Sequence, residues 1–234
     1  MIYLDAGTTY SKLISDERIQ KLDRYIIGLK SPYYNHKYFE KKYYYIAPSS
    51  FVKDLNLDIY ASCGHMINDS THENEIVALA KGCSNIEGDD ITILDLGSRD
   101  AKWINLKNRK FHDMDWNTSC ASSTGATVEM LLKFYDLKPS DLAYNKEKYT
   151  VTCGIFGLEK IMDDISSGIP AKVAVSKFVH GIAYNAWNFA KKPDTLYLSG
   201  GFCENKCFTD SLSKYCDLHI LGRFKLCEGL INEQ

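Results

Sequence analysis

The sequence has no surplus of charge of either sign. Its 234 residues include 28 lysines and arginines against 30 aspartates and glutamates, and the formal net charge is −2. Because the two signs are scattered along the chain, it lacks the basic stripe by which proteins bind nucleic acids. We therefore expect no nucleic-acid partner.

Long apolar runs are also absent from the sequence. No stretch approaches the roughly 20 residues that a membrane-spanning helix requires, and the first residues lack the charged and then hydrophobic pattern of a secretory leader. These absences predict a cytoplasmic protein without a membrane partner. Hydrophobic residues still make up 45% of the chain, enough for one large domain or two modest lobes to bury a core.

Cysteine, by contrast, is abundant. Eight cysteines are many for a cytoplasmic chain of this size. Because no export signal accompanies them, we expect buried thiols rather than a disulfide framework for most of them. The spacing of Cys203 and Cys207 can hold a metal on one helical turn, but no second pair lies near it in the sequence.

Strand-like stretches alternate with helical ones along the chain, which predicts an α/β architecture. The stretch ENEIVALAKGC at 73–83 has the periodicity of a helix. The predicted strands are YYYIAPSSFV at 43–52, NLDIYASCG at 56–64, ITILDLG at 91–97 and its partner AKWINL at 101–106. The tyrosine-rich stretch 31–50 is typical of an edge strand, with a partner-docking surface as the alternative.

The first candidate site is the stretch DAGTTYSK, from Asp5 to Lys12. It separates two short apolar strands and predicts a hairpin turn. Such a turn can offer backbone N–H groups and hydroxyls to an anion, and Asp5 at the strand end can hold a hydrated Mg²⁺. The residues that offer these groups are Gly7, Thr8, Thr9 and Ser11. A nucleotide phosphate suits this combination, whereas an ordinary polar turn is the alternative.

The same pattern returns about 90 residues later. A buried strand ends in Asp95 and Gly97, and SRDAK then leads into another strand. Near the end, TLYLSGGFCEN predicts a strand that runs into Gly200 and Gly201 and then into a helix. Paired glycines allow a ligand to approach the backbone closely, and a helix N-terminus favours an anion. Two similar lobes that share a nucleotide are therefore expected.

These three elements together resemble those of the actin-like, sugar-kinase superfamily. One branch is similar over a longer stretch, the ATP-dependent activators of 2-hydroxyacyl-CoA dehydratases, which include the ATPase subunits of benzoyl-CoA reductase. DMDWNTSCASSTGATVEMLL at 113–132 resembles their Cys-Ala-Ala-Gly-Thr-Gly segment, and the stretch from Val151 to Asn185 resembles their second cysteine segment. The chain is identified as a divergent member of this family.

The resemblance implies a two-lobed actin-like ATPase fold, with ribonuclease H-like lobes whose mixed sheets are flanked by helices. We expect the first lobe at residues 1–88, with the first phosphate hairpin. The second lobe is expected at residues 89–234, with the second hairpin, the cysteine-bearing helices and the adenosine motif.

The resemblance also implies roles for particular residues. Asp5 and Asp95 would bind Mg²⁺ and its waters, and Arg99 lies beside the γ-phosphate position. ATP or ADP would be bound by Gly7, Thr8, Thr9, Ser11, Lys12, Gly97, Ser98, Asp100, Lys102, Thr124, Gly125, Gly200, Gly201 and Asn205.

Two cysteines, Cys120 and Cys153, each come just before a predicted helix. Helix N-termini favour an anionic, thiolate-ligated cluster, with two partly buried thiols as the alternative. The family implies one 4Fe–4S cluster at a homodimer interface, held by both cysteines of each subunit. It would receive electrons from a ferredoxin or flavodoxin and pass them to an iron–sulfur dehydratase or reductase.

Several residues depart from the family pattern. Arg99 stands where the family has a glutamine, and an arginine does not orient an attacking water in the same way, so slow or altered ATP hydrolysis is expected. Ser123 replaces the first glycine of Gly-Thr-Gly. Two other functions therefore stay open, a cluster-free nucleotide-binding regulatory or structural subunit and a kinase for a small metabolite.

Overall fold

The computed structural model describes residues 1–27, 42–65, 71–117, 125–151 and 154–231, with the backbone alone at 154–156. The chain forms two compact units. The first comprises Met1–Asp90, Leu106–His112 and Leu221–Gln234, and the second comprises Ile91–Asn105 and Asp113–Ile220. The domain boundary expected between residues 88 and 89 stays a prediction.

The first sheet contains the predicted opening hairpin. Its strands are β1 Ile2–Ala6, β2 Tyr10–Ser15, β3 Tyr43–Pro48, β4 Ala61–Gly64 and β5 Thr71–His72. They lie in the order β3-β2-β1-β4-β5. β2 is antiparallel to β1 and β3, whereas β4 is parallel to β1 and β5. The register sets Asp5 opposite Lys12 across the hairpin.

The described residues of the first unit form the α-helices α1 Ser49–Lys53, α2 Glu75–Gly82 and, from the far end of the chain, α7 Lys225–Glu228. The prediction of a helix at 73–83 is confirmed: the Asn74 side chain caps α2 by accepting a 2.8 Å hydrogen bond from the Ile76 N–H. The helices α2 and α7 pack against each other. Leu4, Leu13 and Tyr45 are central in the core of this unit.

Two strand predictions in the first unit were too long. β3 ends at Pro48, because proline has no N–H to continue the ladder, and the following residues form α1. In the predicted strand 56–64, Asn56 has a left-handed backbone with φ of 44°, and the strand begins only at Ala61. β3 is an edge strand as expected, although Tyr44 and Tyr45 are buried, and residues 31–41 of the tyrosine-rich stretch lie outside the described residues.

The second sheet repeats the strand order of the first. Its strands are β6 Asp90–Leu96, β7 Ala101–Lys107, β8 Lys110–Asn117, β9 Thr195–Gly200 and β10 Asp217–Gly222. The order is β10-β9-β6-β7-β8, with β9 parallel to β6. In both sheets the first strand is central, with its hairpin partner on one side and a parallel strand on the other. The expectation of mixed sheets flanked by helices is confirmed.

In the part of the second unit that the structure describes, the α-helices are α3 Gly125–Phe134, α4 Gly154–Ser166, α5 Ala171–Phe189 and α6 Lys206–Leu212. The helices predicted after Cys120 and Cys153 are therefore present as α3 and α4. Val128, Leu131 and Leu132 are buried, as expected for one face of α3, whereas Met130 on the opposite face is 52% exposed. Phe178 and Val179 of α5 are fully buried.

The search for membrane spans covered only the described parts of the chain. None of the helices there is both long enough and apolar enough to cross a membrane.

Candidate functional site

An ion pair joins the two strands of the first hairpin. The Lys12 ammonium group donates to Asp5 Oδ2 at 2.8 Å. Only 14% of the Lys12 side chain and 3% of the Asp5 side chain are exposed. Each charge is costly to bury alone, and the pairing offsets part of that cost. The hairpin thus presents a carboxylate and an ammonium group at the end of β1.

The turn of this hairpin is held by a residue that sequence reasoning missed, Ser49. Its hydroxyl donates to the Gly7 carbonyl at 2.6 Å and lies 3.0 Å from the Ser11 hydroxyl. A Cβ on Gly7 would lie 2.5 Å from the Tyr10 carbonyl oxygen, so the turn requires glycine there. Among the predicted phosphate ligands, Ser11 is buried in this network, whereas Thr8 is exposed.

The thiol of Cys227 supports the same hairpin from helix α7. Its Sγ accepts from the Asp5 N–H at 3.2 Å and donates to the Lys12 carbonyl at 3.1 Å. Complete burial raises the pKa of Cys227 well above its ordinary value, so the thiol stays protonated. Asp5 and Cys227 are 222 positions apart, so no local sequence pattern could predict this contact.

The second hairpin gathers two carboxylates around one buried lysine. The ammonium group of Lys102 lies 3.1 Å from Asp100 Oδ2 and 3.9 Å from Asp95 Oδ1. Its side chain is only 3% exposed. The Ser199 hydroxyl donates to Asp95 Oδ2 at 2.7 Å and fixes the orientation of that carboxylate. Three of the predicted site residues, Asp95, Asp100 and Lys102, therefore form one cluster.

The turn of the second hairpin is bonded to the beginning of α3. The N–H groups of Gly125 and Ala126 donate to the carbonyl oxygens of Gly97 and Ser98 at 3.2 and 3.0 Å. A Cβ on Gly125 would lie 3.1 Å from the Gly97 carbonyl oxygen, so this close approach favours glycine. The structure thus brings Gly97, Ser98 and Gly125 together, and the Arg99 side chain is exposed at the tip of the turn.

The predicted adenosine motif begins where β9 ends. Gly200 has a left-handed backbone with φ of +94°, and a Cβ there would lie 2.5 Å from the Leu96 carbonyl oxygen. A Cβ on Gly201 would meet no atom within 4 Å, so this backbone borders open space. Asn205 caps helix α6, because its side chain accepts from the Phe208 N–H at 3.0 Å.

The glycine at the end of β9 has a counterpart in the first sheet that sequence reasoning missed. Gly64 ends β4 with φ of +90°, and its Cβ would lie 2.5 Å from the Ala6 carbonyl oxygen. In both sheets this parallel strand neighbours the strand that carries the site aspartate. The sequence signal that indicates Gly64 is a glycine at the end of a strand-like stretch.

Cys120, Cys153 and Thr124 lie outside the described residues. The described cysteines are free thiols, and they are Cys63, Cys83, Cys203, Cys207, Cys216 and Cys227. Burial raises the pKa of Cys207 and of Cys216 to about 11, which keeps both protonated at neutral pH. Over the described ranges, no group of three or more His, Cys, Asp or Glu side chains is arranged to hold a metal ion.

The donor chemistry of both hairpins fits a magnesium nucleotide. Each has a buried aspartate at a strand end and a lysine seven positions later, Asp5 with Lys12 and Asp95 with Lys102. Carboxylates are the ligands that a hydrated Mg²⁺ prefers, and ammonium groups bind phosphate oxygens. The sequence predicted these four residues, whereas Ser199, Ser49 and Cys227 emerged from the structure alone.

No family model matches the chain. The (R)-2-hydroxyglutaryl-CoA dehydratase activating ATPase of Acidaminococcus fermentans is 24% identical over 141 residues, 56% of this chain and 54% of that protein. The 2-hydroxyisocaproyl-CoA dehydratase activator of Clostridioides difficile is 21% identical over 158 residues, 63% and 59% of the two chains. The matched region therefore spans less than two thirds of these relatives.

Solved structures resemble the chain over nearly its whole length. An activator of 2-hydroxyisocaproyl-CoA dehydratase from Clostridium difficile, with bound ADPNP, has a TM-score of 0.69, 18% identity and coverage of 98% of this chain and 92% of that one. Component A of the A. fermentans (R)-2-hydroxyglutaryl-CoA dehydratase has a TM-score of 0.70, 16% identity and coverage of 98% and 95%. The chain therefore has an actin-like ATPase fold, and its sequence is similar to those of ATPase activators of 2-hydroxyacyl-CoA dehydratases.

Proposed function

We propose that the chain is an ATP-dependent activator that carries a 4Fe–4S cluster and passes single electrons to an iron–sulfur dehydratase or a related reductase. The observation that carries the proposal is the duplicated pair of aspartate and lysine on two hairpins, in a chain homologous to activating ATPases. Binding of ADPNP by a protein of the same fold supports the nucleotide part.

The hairpins supply the groups that bind the nucleotide in this proposal. Asp5 and Asp95 hold the waters of Mg²⁺, while Lys12 and Lys102 neutralise phosphate oxygens. The hydroxyls of Thr8, Thr9 and Ser98 and the turn glycines bind the phosphates. Gly200, Gly201 and Asn205 contact the adenosine end. The open space beside Gly201 supports this last assignment, since a ligand can approach its backbone there.

In this proposal two copies of the chain form a homodimer and share one cluster. Cys120 and Cys153 of each copy are its ligands. A thiolate-held cluster supplies low-potential, one-electron chemistry. The described residues that support this assignment are the helices that follow each cysteine, α3 from Gly125 and α4 from Gly154. A ferredoxin or flavodoxin is the proposed electron donor.

A second candidate function is a nucleotide-binding regulatory subunit without a cluster. Arg99 favours it, because this exposed side chain occupies the position of the residue that orients the attacking water in the family. In the activator function, the same arginine would make each ATP hydrolysis event slow. The two functions differ in whether the protein delivers electrons at all, because a subunit without a cluster has no redox centre.

Electron delivery under exclusion of oxygen tests the proposal. Reduced, iron-reconstituted protein is mixed with a dehydratase of the kind that the relatives activate, and dehydration is followed with and without Mg²⁺ and ATP. Activity is expected only with ATP. The variant Asp95→Asn should lose it, whereas Asp90→Asn, at the exposed opposite end of β6, should keep it. ATP-independent activity in both variants would refute the proposal.

A further inference from the structure

The indole of Trp116 closes the charge cluster of the second hairpin. Its Nε1–H donates to Asp100 Oδ2 at 2.8 Å. The Lys102 ammonium group lies 3.1 Å from the same oxygen and 5.3 Å from the centre of the Trp116 ring. One carboxylate oxygen thus accepts from both partners, and the ring face receives the cation. Trp116, Asp100 and Lys102 form a closed set of three mutual contacts.

A phosphate bound by Lys102 has to compete with these contacts. The Lys102 side chain is 3% exposed, and its distance of 3.9 Å from Asp95 is longer than its distance from Asp100. In the proposed function, an ammonium group drawn to a phosphate gives up part of its contact with Asp100. Because Trp116 donates to Asp100 and its ring centre lies 5.3 Å from the Lys102 ammonium group, we expect its side chain to respond when a phosphate occupies the hairpin.

Trp116 also lies next to the part of the chain that carries Cys120. It is the second-last residue of β8, four positions before that cysteine. On the other side of the segment 118–124, Gly125 and Ala126 donate to the carbonyl oxygens of Gly97 and Ser98. The described residues on both sides of the segment are thus bonded directly to the second hairpin.

We propose that Trp116 is a positioning residue that couples phosphate binding at Lys102 to the end of β8. The inference rests on the proposed nucleotide binding and adds the route by which that binding reaches the cysteine-bearing part of the chain. The hydrogen bond from Nε1 transmits a displacement of Asp100 to β8. The hydrogen bonds from Gly125 and Ala126 to the Gly97 and Ser98 carbonyls are a second connection, between the turn and α3, that does not involve Trp116.

The experiment uses Trp116→Phe, which removes the N–H donor and keeps an aromatic ring. Trp187→Phe is the matched control, since its indole donates to the Pro193 carbonyl, away from the hairpin. Calorimetry measures binding of Mg²⁺-ADP and of a non-hydrolysable ATP analogue. Two further measurements are made on cluster-free protein with and without saturating nucleotide. One is tryptophan fluorescence, and the other is the rate at which N-ethylmaleimide modifies Cys120, followed by peptide mass spectrometry.

Nucleotide is expected to change the Cys120 modification rate by about fivefold, the lower end of couplings between sites, in wild type and in Trp187→Phe. In Trp116→Phe the change should become clearly smaller while nucleotide still binds, because the contacts of Gly97 and Ser98 with α3 remain. The fluorescence response is compared between wild type and Trp187→Phe, since it reports Trp116 itself. Trp116→Tyr is the substitute if the phenylalanine variant does not fold. Bound nucleotide with an unaltered response in Trp116→Phe overturns the inference alone. Absence of nucleotide binding in wild type overturns the proposed function as well.

Discussion

Ser199 and Asp95 lie side by side on the parallel strands β9 and β6, and the serine hydroxyl donates to the aspartate carboxylate at 2.7 Å. Both side chains are buried. Ser199 directly precedes Gly200, so the strand that carries the predicted adenosine motif also orients the predicted magnesium ligand. The two motifs are therefore one structural unit, although the residues are 104 positions apart in the sequence.

Ser199→Ala should weaken both folding and nucleotide binding. The substitution leaves a buried carboxylate oxygen without this donor, which costs about 1–3 kcal/mol of unfolding free energy. Urea denaturation and calorimetry with Mg²⁺-ADP measure the two effects. Ser211→Ala is the control, since that fully buried hydroxyl donates to the Cys207 carbonyl. It should lose stability but not affinity, and equal affinity in both variants would contradict the role given to Ser199.

Alanine at Gly64 or Gly200 should be more destabilising than alanine at Gly168. All three glycines have φ between +90° and +94°, so the left-handed backbone penalises alanine equally, by about 1–2 kcal/mol. A Cβ on Gly64 or Gly200 would also lie 2.5 Å from a carbonyl oxygen, whereas nothing lies within 4 Å at Gly168. Thermal and urea unfolding of the three variants test this. Equal losses would show that the neighbouring strands yield to the extra methyl group.

ATP hydrolysis should accelerate in Arg99→Gln. The glutamine amide can orient a water that arginine cannot, so the rate should rise about a hundredfold, the lower end of what a positioned catalytic group contributes. Stability should not change, because the Arg99 side chain is exposed. Phosphate release under saturating Mg²⁺-ATP gives the rate. Arg109→Gln, an exposed arginine in the turn between β7 and β8, is the control and should leave the rate unchanged.

The second unit should become less stable as the pH falls below about 6.5, the ordinary pKa of histidine. Burial lowers the pKa of His180, whose Nδ1 lies 2.7 Å from the Asn145 carbonyl and whose Nε2 lies 2.8 Å from the Tyr215 hydroxyl. The unfolded chain then binds a proton more readily than the folded one, so the free energy of unfolding decreases from the unfolded pKa down to the folded pKa.

Denaturant unfolding between about pH 5 and pH 8 measures this slope, which the titration of histidine sets. His180→Gln should flatten it, whereas His112→Gln, at an exposed position, should not. The same slope in wild type and His180→Gln would assign the acid sensitivity to other groups.

The parts of the site that the sequence predicted are local in the chain. Asp5 and Lys12 share one hairpin, and Asp95, Asp100 and Lys102 share another. Turn chemistry at the strand ends indicated Asp5 and Asp95, and the family resemblance implied the roles of Lys12, Asp100 and Lys102. Helices α2 and α6 followed from their apolar periodicity. The predicted strand at 43–52 was too long, because the proline at position 48 ends β3.

The residues that support those hairpins could not be predicted in the same way. Cys227 bonds to Asp5 across 222 positions, and Ser199 bonds to Asp95 across 104. Such contacts depend on which strands become neighbours, and one sequence without its fold does not specify that. Trp116 is nearer, 16 positions from Asp100, but its indole reaches the carboxylate only because β8 follows β7 in the same sheet.

The central claim is that the chain is an ATP-dependent electron donor with a shared cluster, and it requires that the protein binds iron. The most direct measurement is the content of iron and sulfide per dimer after purification without oxygen, with the visible spectrum before and after dithionite in the presence of ADP or ATP. The account predicts about four irons per dimer and a brown absorbance that bleaches on reduction, both absent in Cys120→Ser but not in Cys216→Ser. A protein that binds no iron after anaerobic purification and reconstitution would contradict it.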